Sequence, residues 1–396
     1  MTVMMYVPVE RGGLADYSAQ LCNALAEQGC TTTLLSCAGF SPSVPLNNDV
    51  HFLPRLRPVG SLSGFRSLYL VRAVDRTLRY FVNCLIRQYW AHQLRPSILH
   101  LQLVTPIYDQ FLLSLLPRET RVVMTVHDVL PHESSLKEAP RFLRRVYLRC
   151  DSLIVHSEAN RRTLIDNFSA NAAAIHVIPH GVADRDIAVF KNVARRDCGI
   201  PADAFTILFF GSLRPDKGLS VLFDAMVMLV QQDPRIRLIV AGAPSRSVPA
   251  SWMRHTVRDL GIESRVELRL DWISNELASQ LFAVSDLVVL PYTHFDSQSG
   301  VLTQAYQFRI PLIVSDVGSL GETVRHDLSG LVVPPGDPGM LAQAVLAMMR
   351  SPRLCQVLAT NMDNAMLEGK YSWSRVARLT LEAYRSCLDK SVQPDE

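Results

Sequence analysis

Charge is scarce in this sequence, and neither sign dominates. Charged residues make up 19% of the 396, and 40 Lys and Arg stand against 37 Asp and Glu, a net of +3. An excess that small brings no general attraction to nucleic acid, so any basic function has to come from clustering. Long apolar runs are missing too. The longest uncharged stretch, residues 28–48, is broken by Pro42, Pro45 and many Ser, Thr and Asn, whereas a membrane-spanning helix needs about 20 mostly apolar residues. The first residues lack the basic-then-apolar order of a signal peptide, because residues 1–9 already read as a strand. The cysteines (Cys22, Cys30, Cys37, Cys84, Cys150, Cys198, Cys355 and Cys387) never stand as CxxC. Their scatter argues against a zinc module and a compact disulfide framework, and a reduced, cytoplasmic chain is the expectation. No repeat of 20–50 residues and no low-complexity tract is present.

What is present is the pattern of an α/β protein. The chain is longer than the ~250–300 residues one core usually serves, which predicts two domains. Hydrophobic residues at 48% and aromatic ones at 8% exclude a disordered chain, a coiled coil or a collagen-like fibre. Strand-like apolar runs alternate with longer amphipathic stretches throughout, as in parallel sheets. The strand candidates are residues 2–9, 31–36, 98–103, 121–126, 152–156 and 175–178, then 206–210, 237–241, 266–268, 287–290, 312–315 and 330–333. They make two doubly wound, Rossmann-like domains at residues 1–185 and 204–370. A charged, aperiodic linker at 186–203 joins them, and a closing helix falls within 371–396. Ligands of such sheets bind outside the carboxyl ends of the strands, so the expected site is a cleft across which the two domains face each other.

Three turns could carry chemistry. The first strand runs into Gly12 and Gly13 and then a helix, a place where backbone N–H groups can meet an anion. A plain tight turn fits equally, because the full GxGxxG fingerprint is absent. Strand 206–210 ends in Gly211-Ser212-Leu213-Arg214-Pro215-Asp216-Lys217-Gly218. Arg214 offers a planar fork and Lys217 a point charge, and together they could converge on one diphosphate; a solvated charged loop is the alternative. The third turn, residues 291–302, opens a helix whose N–H groups at Ser299, Gly300 and Val301 form another anion cradle. Asp296 at its mouth and Gln304 eight residues on suit sugar or ribose hydroxyls, with a simple helix cap the other role for Asp296.

These turns lie within a longer series of strings: "GGLADYSAQLCNALAEQG", "TVHDVLPHE", "VIPHGV", "GSLRPDKGL", "SDLVVLPY" with "SQSGVLTQAYQF", "DVGSLGE" and "YSWSRVA". In this order they resemble the retaining glycosyltransferases of family 4, with the GT-B fold, over nearly the whole chain. The resemblance implies that Arg214 and Lys217 hold the diphosphate of a nucleoside diphosphate sugar. Asp296 stands where the family has a glutamate near the donor sugar, and Gln304 where it has one on the ribose. It also implies that His127 faces that sugar, with Gly12 and Gly13 closing over it. No metal and no cofactor is expected. Asp184-Arg185-Asp186 looks like a DxD metal motif but falls where the linker begins rather than at a strand end. His127, Asp128, His132 and Glu133 lack the spacing that places two histidines on one helix face. His180 could orient the hinge, and His100 and His156 read as core or rim residues. Glu322, on a loop in "DVGSLGE", either contacts the donor or caps the next helix. The implied reaction moves a sugar to a lipid-linked or polysaccharide acceptor in cell-envelope or exopolysaccharide assembly. An epimerase on the same fold, or a silent sugar-nucleotide-binding scaffold, are the rivals.

One flank is basic. From Arg55 to Arg95 the chain carries Arg55, Arg57, Arg66, Arg72, Arg76, Arg79, Arg87 and Arg95 against the single carboxylate Asp75, interleaved with Tyr69, Tyr80, Phe81, Tyr89 and Trp90. Lys137, Arg141, Arg144, Arg145 and Arg149 follow. No nucleic-acid recognition module accompanies them. The expectation is peripheral attachment to the cytoplasmic face of an anionic membrane; a solvated face with its aromatics in the core is the plainer reading.

Overall fold

A computed structural model describes residues 1–59, 69–129, 139–182, 195, 198–295 and 299–389. The chain divides into two compact units, Met1–Gly181 with Trp373–Glu396, and Val182–Ser372. It passes between them at Gly181–Val182 and again at Ser372–Trp373. Most of the expected linker, and with it Asp184, Arg185 and Asp186, lies outside the described residues. Arg195 is described, and it is bound into the second unit through Asp286 at 2.5 Å and the carbonyls of Val284 and Ala202.

The first unit runs β1 (Thr2–Val7), α1 (Gly13–Glu27), β2 (Thr31–Cys37), β3 (Val50–Leu56), α2 (Tyr69–Leu94), β4 (Ile98–Leu101), α3 (Pro106–Leu112), β5 (Arg121–Thr125), α4 (Ala139–Tyr147), β6 (Ser152–Val155), α5 (Glu158–Phe168) and β7 (Ile175–Val177). Its strands form one parallel sheet in the order β3-β2-β1-β4-β5-β6-β7. Both faces are buried, as a parallel sheet requires. The period of two shows in β1, where Val3, Met5 and Val7 join one core layer and Met4 and Tyr6 the other. β3 is missing from the strand candidates of the sequence. It contains Pro54, which cannot donate to a ladder and so demotes a strand to an edge. β3 is that edge, and the register shifts where it meets Ser36 and Cys37.

The second unit runs β8 (Phe205–Phe210), α6 (Leu219–Gln232), β9 (Ile236–Ala241), α7 (Ala250–Asp259), β10 (Val266–Arg269), α8 (Asn275–Val284), β11 (Leu287–Leu290), α9 (Gly300–Phe308), β12 (Leu312–Ser315), α10 (Gly318–Asp327), β13 (Gly330–Val333), α11 (Pro338–Arg350) and α12 (Pro352–Leu367). Its parallel order is β10-β9-β8-β11-β12-β13. The final helix, α13 (Trp373–Asp389), returns to the first unit, where Leu381, Tyr384 and Cys387 share a core with Tyr17, Leu21 and Cys22 of α1. In each sheet the order reverses beside its first strand, between β1 and β4 and between β8 and β11. Those are the switch points at which such sheets bind ligands.

The basic stripe expected on α2 is smaller than the sequence suggests. Arg87 is fully buried. Its Nη2 donates to Asp109 Oδ1 at 2.6 Å, and its guanidinium lies 5.0 Å from the Tyr6 ring centroid. Asp109 also accepts from Thr105 N–H at 2.6 Å. The wide spacing of arginines along α2 hid the fact that one of them faces inward. Arg79 pairs with Asp75, and Arg95 with Glu119; Arg66 lies outside the described residues. Breaking one side of a buried pair strands a charge. Asp109→Ala is therefore expected to lower stability by about 3–5 kcal/mol in urea unfolding. A double variant with Arg87→Met and Asp109→Leu should recover most of that loss, and no recovery would mean that the pair does more than offset its own desolvation.

Candidate active site

The second unit's site grows out of the turn after β8. Gly218 has φ +68, the left-handed conformation in which glycine ends the 3₁₀ turn Pro215–Lys217 and starts α6. A Cβ there would lie 1.8 Å from the carbonyl oxygen of Pro291, so this loop sits directly on the exit of β11. Thr293 N–H donates to the Asp216 carbonyl at 2.9 Å, adding a second tie. Arg214 is held in a two-pronged pair by Asp216, Nε to Oδ1 at 3.1 Å and Nη2 to Oδ2 at 2.8 Å. Partial burial works to raise the Asp216 carboxyl. The bonds and charge of Arg214, with Lys217 behind, prevail and hold it below the ordinary carboxylate range.

Lys217 reaches across to the third turn. Its Nζ stands 3.7 Å from the centroid of Tyr292 and 4.5 Å from that of Phe295, a cation–π corner that orients the ammonium. A Cβ on Gly211 would come 3.3 Å from Cγ2 of Val301, so the β8 turn also touches the mouth of α9. α9 begins at Gly300, with Ser299 as N-cap accepting from Leu302 N–H at 3.3 Å. Ser299 therefore fills the cap. Gln304 lies on the first turns of α9, partly exposed, while Asp296 lies outside the described residues. The structure thus brings Arg214, Lys217, Ser299, Gly300, Val301 and Gln304 to one switch point. Glu322 differs from its expected place: α10 begins at Gly318 with Val317 as N-cap. Glu322 is inside the helix, neither on a loop nor a cap, because Gly318, with φ +50, starts the helix a turn before it.

In the first unit Gly12 (φ +92) precedes the first residue of α1, Gly13, and no side chain caps this helix end. His127 follows β5 and stays partly exposed. Its ring meets Tyr17 edge-on, centroids 4.9 Å apart. Tyr17 likewise touches His156, His180 and Trp373 at 5.4, 5.0 and 5.2 Å. His156 and His180 each donate from Nδ1 to a carbonyl, of Ile178 and Gly181. Burial first, then His180, lowers His156 to about 3, and burial lowers His180 to about 4; both rings are neutral. Tyr17, Gln102 and Trp373 are absent from the sequence candidates. Only Gln102 left a signal, since, just past the end of β4, it falls two residues from His100 and so on the same face. His132 and Glu133 lie outside the described residues. Among the described residues no three His, Cys, Asp or Glu side chains group as metal ligands.

Residues 11–185 match the family model described as Glycosyltransferase Family 4, and residues 204–351 that of Glycosyl transferases group 1. The chain belongs to glycosyltransferase family 4. It is similar to D-inositol 3-phosphate glycosyltransferase of Kineococcus radiotolerans, 30% identical over 264 residues that cover 62% of this chain and 59% of that protein. It thus spans about three fifths of the length of that relative. Among solved structures, a glycosyltransferase from Rickettsia africae matches with a TM-score of 0.73 at 15% identity over 98% of both chains. Anabaena HepE in complex with UDP and glucose matches at 0.73 with 18% identity, over 98% of this chain and 100% of that one. These likenesses show the GT-B fold that the sequence led us to expect.

The family member described here depends on Gly218 for the contact between its two second-unit turns. Gly218→Ala places a methyl group against backbone atoms at positive φ, which costs more than relief of unfolded-state entropy returns. Its urea midpoint should fall by the equivalent of more than about 1 kcal/mol; an unchanged midpoint would show that the β8 turn does not rest on Pro291.

Proposed function

We propose that the chain transfers a sugar from a nucleoside diphosphate sugar to an acceptor, with retention of anomeric configuration. The observation that supports this most directly is the interlocking of the Arg214–Lys217 turn with the N-terminus of α9. As the glycosidic bond breaks, negative charge builds on the leaving diphosphate. The Arg214 fork, the Lys217 ammonium and the amides of Ser299, Gly300 and Val301 oppose it, which is the largest electrostatic contribution such sites make. Asp216 keeps the fork aligned before a diphosphate arrives. Gln304 accepts from one ribose hydroxyl and donates to the other through its carbonyl and amide. The family resemblance assigns contact with the donor sugar to His127, Gly12, Gly13 and Asp296. The reading assigns the charge to side chains and a helix end, with no metal or cofactor. The Kineococcus relative is named for D-inositol 3-phosphate, whereas the surface of the first unit favours a lipid-linked acceptor here.

That surface is more apolar than its sequence suggests. Leu78, Phe81, Leu85 and Tyr89 form an exposed stripe along α2. Phe81 meets Tyr108 of α3 at 5.1 Å, and Gln88 bonds the Leu112 carbonyl, so the stripe continues into exposed Ile107, Phe111 and Leu115. Contiguous exposed apolar surface marks an interaction site. Exposed Arg141, Arg144 and Arg145 of α4 flank it, since Arg145 bonds Gln110 of α3. An apolar stripe with a basic border suits a helix lying in an anionic lipid interface. No helix among the described residues is long and apolar enough to cross a membrane.

Two measurements test this reading. A thermal-shift panel of nucleoside diphosphate sugars should find one that stabilises the protein, by ~2.7 kcal/mol at 100 times its dissociation constant. Lys217→Ala should remain folded and lose at least tenfold in affinity; an undiminished shift would sink the diphosphate assignment, and conversion of donor alone to an isomer would favour an epimerase. Sedimentation with anionic vesicles tests the surface. The parent should bind, and Phe81→Glu with Phe111→Glu should not. A parent that ignores such vesicles would make a soluble acceptor the better reading.

A further inference from the structure

What a histidine offers a ligand from one ring nitrogen is set by what the other nitrogen binds, and beside His127 a sulfur atom decides it. The Gln102 amide is buried, 2% exposed. One end lies 3.0 Å from Met5 Sδ and 3.3 Å from His100 Nε2, and the other 2.8 Å from His127 Nε2. Shape does not distinguish an amide's oxygen from its nitrogen, so the partners must. A thioether carries no proton and only accepts. A carbonyl oxygen at that distance would set lone pair against lone pair, so the end beside Met5 is the NH2 group. The oxygen therefore faces His127, and an oxygen can only accept. His127 has to be the donor.

The neighbouring bonds are consistent with this order. His100 Nε2 accepts from Gln102 and from Thr125 Oγ1 at 2.7 Å, which leaves its proton on Nδ1, 2.6 Å from the Tyr384 hydroxyl. All of these groups are buried. The groups around His127 itself are Tyr17 of α1, His156 and His180 after β6 and β7, His100 of β4 and Gln102 just after it, with Asp128 next in the chain. Burial first, then His156, His180 and His100, holds its pKa well below the ordinary range, so the ring carries one proton.

We propose that Gln102, oriented by the Met5 sulfur, is a positioning residue that holds His127 as the Nε2–H tautomer and leaves Nδ1 as a hydrogen-bond acceptor. Taken with the donor role proposed above, on which this consequence rests, His127 presents a lone pair to the sugar and complements a hydroxyl. The tautomer itself stands apart from that role and is measured separately.

Long-range 1H–15N correlation spectra of protein labelled with 15N-histidine read the tautomer directly. At pH 7 His127 should be protonated at Nε2 alone. Gln102→Leu should give a mixture of tautomers, and Gln102→Glu should restore Nε2 protonation while moving the ring's titration to higher pH. Met5→Leu should loosen the preference. A parent His127 protonated at Nδ1, or as an even mixture, overturns the proposal without any variant. So does a folded Gln102→Leu protein with the parent's tautomer. With the donor found by thermal shift, Gln102→Leu should raise KM about tenfold, with kcat changed less. If the tautomer moves while KM does not, the positioning role stands and the sugar contact of His127 fails.

Discussion

Every strand described in this chain pairs in parallel with its neighbours. Each must therefore be reached by a crossover, and each strand's carboxyl end opens into a turn on the same edge of its sheet. The chemistry of the molecule follows from that constraint. Residues as distant in sequence as Lys217 and Phe295 meet because β8 and β11 are adjacent and end on one edge. The same rule brings Gln102 after β4 beside His127 after β5. Close packing of the turns then demands glycine. At Gly242 a Cβ would lie 1.7 Å from the Gly211 carbonyl oxygen, so β8 and β9 can leave their sheet together only without a side chain there.

How legible each part was depended on whether its signal was local. The buried parallel strands are short apolar runs and read clearly, as at Leu287–Leu290 and Leu312–Ser315. β3 did not, because Pro54 and its polar neighbours disguise an edge strand whose pairing with β2 is a tertiary fact. Arg214 and Lys217 were legible as a pair of cations on a glycine-bounded turn. Their partners were not, since neither the Asp216 fork nor the Tyr292–Phe295 corner is written in spacing. Arg87 shows the limit from the other side. Its place on α2 looks like its neighbours' in sequence, and only the buried Asp109 from α3 separates a core ion pair from a solvated arginine.

The histidines make the same point about function. The family resemblance singles out His127, but position at or just beyond a strand end, which His100, His127, His156 and His180 share, does not rank them. Packing does. His100 has both ring nitrogens engaged inside the core, and His156 and His180 spend Nδ1 on backbone carbonyls. His127 alone of the four is anchored at Nε2 by a side-chain amide while its ring stays partly exposed. A ring so oriented is suited to present its other nitrogen outward.

An anion cradle at a helix N-terminus is useful only if the helix cannot recoil, and α9 is pinned from behind. Tyr306, in its last turn, donates to Asp327 at 2.6 Å and lies 2.8 Å from Ser329 Oγ. Asp327 is almost fully buried and accepts from Tyr371, Lys370 and His326 as well. Burial would raise its carboxyl, yet Lys370 and the two tyrosine hydroxyls hold it below the ordinary range. A buried carboxylate is costly unless its lone pairs are filled, and here three elements fill them: α9, α10 and the segment after α12. Just past that turn Arg309 adopts the left-handed conformation and bonds Asp363 of α12 at 2.5 Å. The helix is thus held along its carboxyl-terminal turn, which fixes the amides of Ser299, Gly300 and Val301 in the place where the proposed function puts the diphosphate.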